Sequence, residues 1–197
     1  YKQRYRTKQA RFWASSYEDK RPELTNAQRK MLSHYDNATL YNDSIVAQIV
    51  KRFQKQDAIV IYVPDHGEEC YEENRGFICR NHSAEIDWPL AHYEFEIPFW
   101  IYCSPKYIRN HRDIYRQIRK AKDKRFMTDA LPHLLLYLAG IETPTYKEEY
   151  NILSPKYDEM RPRILKNSAD YDKLRDAHLE KIKKEESKKV KKKERRN

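Results

Sequence analysis

AIVIYVPDHGEE, residues 58–69, decides the reading of this chain. Its first six residues are apolar and rich in β-branched side chains, the pattern of a strand buried on both faces of a sheet. Pro64 withdraws an N–H from the ladder and ends the strand. Asp65 and His66 follow at the carboxyl end, where open α/β sheets collect their functional groups. On a continuing strand these neighbours would point to opposite faces. Leaving the strand at Pro64 and turning at Gly67 lets both side chains converge on one ion. A carboxylate oxygen and an imidazole nitrogen suit Zn²⁺, or another divalent cation that accepts mixed donors. The plainer reading is a capped strand end, with Asp65 accepting backbone N–H groups and His66 merely exposed.

On the N-terminal side, Leu24 to about Gln54 reads as a long helix. Thr25 or Asn26 is its N-cap, and Leu32, Tyr35, Leu40, Ile45, Ile49 and Phe53 fall near helical spacing. Residues 1–22 are basic and aromatic without a clean period. On the other side, 64–94 is polar, aromatic and too long for an ordinary connection, which marks it as functional or disordered. Ile97–Cys103 (IPFWIYC) reads as a second buried strand, followed by a basic stretch at 104–126. A helix at Thr128–Ala139 ends at Gly140 as its C′ residue. Residues 154–165 are turn-rich, and the last 30 or so form a charged helix or tail. Helix, strand, long loop, strand, helix is an α/β order. There is no internal repeat.

The chain has 197 residues, 39% hydrophobic and 36% charged, with 16 Tyr and only 3 Gly. This is long enough for one domain or a large part of one. The net charge of +10 is not spread evenly. Lys181 to Asn197 holds eight Lys and two Arg against three Glu, a net +7, which leaves +3 for residues 1–180. The basicity therefore belongs to the tail, which reads as a solvated extension or as a site for anionic lipid or nucleic acid. The longest apolar stretch, ALPHLLLYLAGI (130–141), falls well short of the ~20 residues a membrane span needs. Tyr1 opens in the middle of basic and aromatic sequence, which suggests a fragment. Three cysteines form no even framework. Cys103 lies in an apolar run as a buried thiol, and Cys70 and Cys79 can pair in an oxidising compartment.

Four blocks in this order carry a family resemblance: YDNATLYNDSIVAQIVKRF (35–53), AIVIYVPDHGEE (58–69), EIPFWIYCSPKY (96–107) and DALPHLLLYLAGI (129–141). They resemble the C-terminal part of the catalytic domain of phosphoethanolamine transferases, the lipid A- and lipopolysaccharide-modifying branch of the alkaline phosphatase/sulfatase superfamily. The opening YKQRYRTKQARFW (1–13) is similar to a family stretch that follows a Gly-Ser-His element. The fold implied is an α/β sandwich of helices around a mostly parallel sheet, of which this chain would be the C-terminal portion. Residues 1–165 would belong to that domain, and 166–197 would be a charged helical or disordered basic tail.

The resemblance implies that Asp65 and His66 supply two ligands of a catalytic zinc. The family's acidic ligand and its threonine nucleophile lie in the N-terminal half of the domain, and no residue here matches either. The segment alone should therefore be inactive. Zinc would activate the threonine oxygen for attack on phosphatidylethanolamine, and a lipid A or lipopolysaccharide acceptor would then take the phosphoethanolamine group. A family histidine that helps hold this group or a second metal maps onto His82, 16 residues before Pro98, with His92 as the competitor. A separate structural zinc site from Cys70, Cys79, His82 and His92 is a third reading, and a Cys70–Cys79 disulfide fits a periplasmic domain better. Glu68, with Glu69 beside it, is an orienting partner for His66 or a solvated loop residue. His133 reads as a satisfied helix histidine. Tyr35, Asp36, Asn37, Tyr41 and Asp43 recur in the family helix but cannot share one face, so packing competes with substrate contact. The whole protein would sit in the inner membrane with this domain on the periplasmic side, completed by the missing N-terminal half. The alternatives are a sulfatase or phosphatase of the same superfamily, or a non-enzymatic basic module; no nucleic-acid motif is present, so no nucleic-acid partner is expected.

Overall fold

The computed structural model describes residues 1–79 and 85–194, with the side chains of 74, 77–79 and 190–194 left aside. In chain order the elements are α1 (Asn26–Phe53), β1 (Ile59–Tyr62), β2 (Glu69–Cys70), β3 (Phe77–Cys79), α2 (Trp88–Leu90), β4 (Trp100–Cys103), α3 (Pro105–Asn110), α4 (Arg112–Ala121), α5 (Leu131–Ala139), β5 (Ile164–Leu165), β6 (Ala169–Asp170) and α6 (Tyr171–Glu194). A π-helical turn, Ala91–Phe95, continues α2. The chain divides into two compact units. The first comprises Tyr1–Tyr62, Cys70–Cys79 and Phe99–Asn110; the second comprises the described parts of 63–69, 80–98 and 111–197. None of the described helices is long and apolar enough to cross a membrane.

In the first unit, α1 starts where the sequence places it. Thr25 caps it and Gln28 answers in a capping box: the Thr25 N–H donates to the Gln28 side chain at 2.8 Å, and the Gln28 N–H donates back at 3.3 Å. Leu32 packs with Tyr17, Leu24, Cys70 and Tyr71. Asn37, 2% exposed, ties the irregular 11–12 segment to the helix. Its Oδ1 accepts from the N–H groups of Arg11 (2.6 Å) and Phe12 (3.1 Å), and its Nδ2 donates to the carbonyls of Phe12 and Ser33, both 2.8 Å. Asp36 accepts from the Tyr17 hydroxyl. Burial, with Asp36 beside it, pushes the Tyr17 phenol far above its usual range. For Asp36 and Asn37, then, the family helix residues pack and cap. The apolar stripe read along α1 is only half used: Leu40, Ile45 and Ile49 are 38%, 39% and 45% exposed.

β1 and β4 form an antiparallel pair in the register Ile59↔Cys103, Val60↔Tyr102, Ile61↔Ile101 and Tyr62↔Trp100. Tyr62 and Trp100 stack at 5.2 Å. Both strands were expected to be buried on two faces, yet all four β1 residues are half-buried. Among the described residues this sheet has two strands, and a two-stranded ribbon is narrower than the buried sheet the run of β-branched residues suits. Ser104, fully buried, joins β1 to α3. Its hydroxyl donates to the Gln56 carbonyl (2.5 Å) and accepts from the N–H groups of Ala58 (3.3 Å) and Tyr107 (3.0 Å). Pro105 follows at the first helical position, where its missing N–H costs nothing. The basic stretch 104–126 is thus largely helical, which its charge concealed. Ile114, Ile118 and Ala121 recur at helical spacing beneath the arginines, and Ala121 is buried.

In the second unit Ile86, Leu90, Ala91, Leu165 and Tyr171 make one core, with Trp88, Phe95 and Leu174 against it. α5 ends at Gly140 (φ 66°), whose N–H reaches back to Leu136 and Tyr137, as the sequence indicates. The charged tail is the helix α6. Asp172, near its start, is gripped by Arg125 and by Arg163 (2.6 Å), with Arg175 at 3.4 Å. The hydrogen bond from Arg163 leads in holding its carboxyl below the usual aspartate range.

Candidate metal centre

Asp65 and His66 follow β1 directly in the chain. The turn that carries them is pinned by Gly67, for a reason the sequence does not reveal. Gly67 is not in the left-handed region. Its N–H donates to the Glu94 carbonyl at 2.8 Å, and a Cβ at this position would lie 2.2 Å from the Tyr93 carbonyl oxygen. Only glycine permits this approach of two backbones. The π-helical turn that bears His92 therefore packs its Tyr93–Glu94 backbone against the motif.

The His66 side chain is 24% exposed, and its Nδ1 lies 2.6 Å from the Gly67 carbonyl oxygen. A carbonyl oxygen only accepts, so Nδ1 carries the proton and donates. The lone pair of the neutral ring is then on Nε2. Nε2 stands 3.5 Å from Oδ2 of Asp65, whose side chain is 83% exposed. Two acceptors this close repel unless a positive charge lies between them, a proton or a metal ion. The donor set, tautomer and access fit a divalent cation bound by one imidazole nitrogen and one carboxylate oxygen, open on its outer side. No three His, Cys, Asp or Glu side chains converge on a metal position among the described residues. Among the described residues, Asp65 and His66 are the pair whose donors face each other at this strand end.

The remaining expected residues fall as follows. His82 lies outside the described residues. His92 stacks on Trp88 at 5.4 Å, and its Nδ1 is 2.9 Å from Oε1 of Glu96. Glu68 is half-buried, and Glu69 beside it is fully buried. The Nδ1 anchor of His66 is the Gly67 carbonyl, a partner that a motif reading cannot see because every residue carries one. His133 accepts at Nδ1 from the Lys147 N–H (3.1 Å), with Tyr146 and Tyr150 beside its ring, as a satisfied helix histidine should be. The Cys70–Cys79 pairing and the four-residue zinc reading both involve Cys79, whose side chain lies outside the description. Sequence reasoning missed the Trp88–His92–Glu96–Tyr171 group. Trp88, His92 and Glu96 stand four apart, which is the signal it carried.

With this geometry in hand, comparison with known proteins is informative. The family described as Sulfatase matches residues 1–141. Phosphoethanolamine transferase EptC of Escherichia coli (strain K12) is 30% identical over 163 residues, covering 81% of this chain and 26% of the relative. Kdo(2)-lipid A phosphoethanolamine 7''-transferase of the same organism is 30% identical over 99 residues, 49% of this chain and 16% of the relative. The chain thus spans about a quarter of the length of the curated relatives it matches most extensively. Among solved structures, the C-terminal periplasmic domain of EptC from Escherichia coli, in complex with Zn, superposes with a TM-score of 0.68 at 27% identity. The match covers 88% of this chain and 48% of that one. That domain has the alkaline phosphatase/sulfatase-like fold, so the mixed α/β architecture read from the sequence stands.

Proposed function

The chain belongs to the sulfatase family, and we propose on that premise that it is the C-terminal part of the catalytic domain of a zinc-dependent phosphoethanolamine transferase. The observation that carries this reading is the pairing of His66 Nε2 with Asp65 Oδ2 at 3.5 Å, with Nδ1 anchored on Gly67. When bound, zinc supplies Lewis-acid activation of a nucleophile and stabilises charge on the phosphoryl group. The residues of this chain do the holding. Gly67 fixes the backbone, its carbonyl sets the ring tautomer of His66, and Asp65 presents a second donor from an exposed position. Glu68 is proposed as a further orienting group, and His82 as a contact to the phosphoethanolamine head.

The donor is proposed to be phosphatidylethanolamine and the acceptor lipid A or another lipopolysaccharide group, with the domain on the periplasmic side of the inner membrane. The rest of the metal site and the nucleophile belong to the remainder of the domain, and this segment alone is inactive. Residues 1–165 then belong to the catalytic domain and 166–197 to a tail. That remainder is also proposed to cover the half-exposed β1–β4 pair and the exposed Leu40, Ile45 and Ile49 of α1.

The test is the double substitution Asp65→Ala and His66→Ala in the full-length protein, read by zinc content and by transfer of labelled phosphoethanolamine. Loss of one zinc per chain and a drop in transfer of at least a hundredfold is the expected result. Unchanged zinc and activity would reject the assignment.

A further inference from the structure

α6 is fastened at one end and bare at the other. At its start the Tyr171 hydroxyl donates to Glu96, Asp172 is held by Arg125 and Arg163, and the Trp88 ring stacks on His178 at 5.2 Å. After His178 the attachments stop: every described side chain from Leu179 to Lys189 is exposed. A helix buried on one side should show an apolar stripe there. This half shows lysines instead. Lys181, Lys184 and Lys188 fall within one arc roughly 60° wide at 100° per residue, and Glu185 and Glu186 fall outside it. Among the described side chains, Lys184 pairs with Glu180 at 3.5 Å in this part of the helix.

We propose that the second half of α6 is an electrostatic dock for a bilayer containing anionic phospholipid. The inference rests on the phosphoethanolamine-transferase reading for the choice of a bilayer as partner, since both substrates of that reaction are held in membranes. The charge distribution places the contact. Lys181 to Asn197 carries +7 while residues 1–180 carry +3, so the attraction to an anionic surface belongs to this arm and not to the body of the chain. The contact is adsorption at headgroup level. Among the described residues of α6, the exposed large apolar side chains are Leu179 (45%) and Ile182 (38%), too little to drive insertion. An arm anchored by His178 and Asp172 and attracted to lipid phosphates would hold the domain near the surface where its donor and acceptor diffuse. That confines their encounter to two dimensions.

The experiment is flotation of the full chain with vesicles of phosphatidylcholine alone and of phosphatidylcholine doped with phosphatidylglycerol. Attraction over a Debye length of about 10 Å at ~0.1 M salt predicts at least tenfold tighter binding to the doped vesicles. Binding should be lost on raising salt to about 0.5 M. Lys181→Glu, Lys184→Glu and Lys188→Glu together should weaken it about tenfold or more, and so should deletion of 181–197, each with unchanged far-ultraviolet circular dichroism from the rest of the chain. Equal binding to both vesicle types, persistence at high salt, full binding by either variant, or preference for duplex DNA over doped vesicles would each overturn the proposal. The Asp65→Ala, His66→Ala variant should bind vesicles normally, so failure of the zinc assignment and failure of the dock are read separately.

Discussion

The two long helices of this chain are similar in length, 28 residues in α1 and 24 in α6, and each is held over only part of it. α1 is secured near its start by a buried amide and an apolar core, and then leaves Leu40, Ile45 and Ile49 uncovered. α6 is secured near its start by an ion cluster and stacked rings, and then leaves lysines uncovered. Exposed apolar side chains on a helix are an unsatisfied surface that protein covers, whereas exposed lysines are content in water or beside anions. The proposed covers differ accordingly: more of the same domain for the bare half of α1, and a charged surface outside it for the bare half of α6.

The largest expected effect breaks the secured half of α1. Asn37→Ala removes four hydrogen bonds, leaves the part-buried N–H groups of Arg11 and Phe12 without their acceptor and opens space where the buried amide stood. Unfolding of this chain in urea should show a loss of about 2–4 kcal/mol, because several hydrogen bonds of about 1 kcal/mol each are lost together. A loss under about 1 kcal/mol would mean the 11–12 segment is held by something other than Asn37.

The ion cluster of α6 should be weaker and should depend on pH. The Asp172 carboxyl is held below its ordinary value, chiefly by the hydrogen bond from Arg163, and Arg161 does the same for Asp129 through two bonds of 2.6 and 2.7 Å. A depressed folded-state value means stability that is present above the unfolded-state value and is lost as pH falls through the folded-state value. Stability should therefore decline on acidification below about pH 4. Asp172→Asn should cost roughly 1 kcal/mol at pH 7 and flatten that decline. An unchanged acid limb in the variant would show that Asp172 does not contribute to it.

The smallest effect should come from the bare half of α1. Ile45→Lys should change the stability of this chain by no more than about 0.5 kcal/mol, since its side chain already meets water. In the full-length protein the same change should lower the melting temperature by several degrees, if the rest of the domain covers this face. Equal, negligible effects in both would leave the exposed half of α1 without its proposed cover.

Elements with strong local signals were legible in the sequence: α1 with its Thr25 cap, β1 and β4 within three residues at each end, and α5 with Gly140. The strand-end motif was legible too, because Pro64, Asp65, His66 and Gly67 stand together. The helices of 104–121 were not, because arginines masked the period of Ile114, Ile118 and Ala121. The half-burial of β1 was also illegible. A run of β-branched residues states what a strand is suited to, and whether both faces are covered is set by what packs on the sheet in three dimensions.

By itself, then, the sequence determined the capped helix α1, the strands β1 and β4, the Gly140 end of α5 and the strand-end motif at 64–67, since propensity, capping and periodicity act within a few residues. Tertiary structure alone decided the antiparallel register of β1 on β4 and the close approach that makes Gly67 obligatory. It also decided where α6 is tied down. Those outcomes hang on partners far along the chain, such as Glu94 for Gly67 or Glu96 for Tyr171, 75 residues away. Such distances leave no local trace in composition or spacing, because a hydrogen bond is specified by where two groups meet in space.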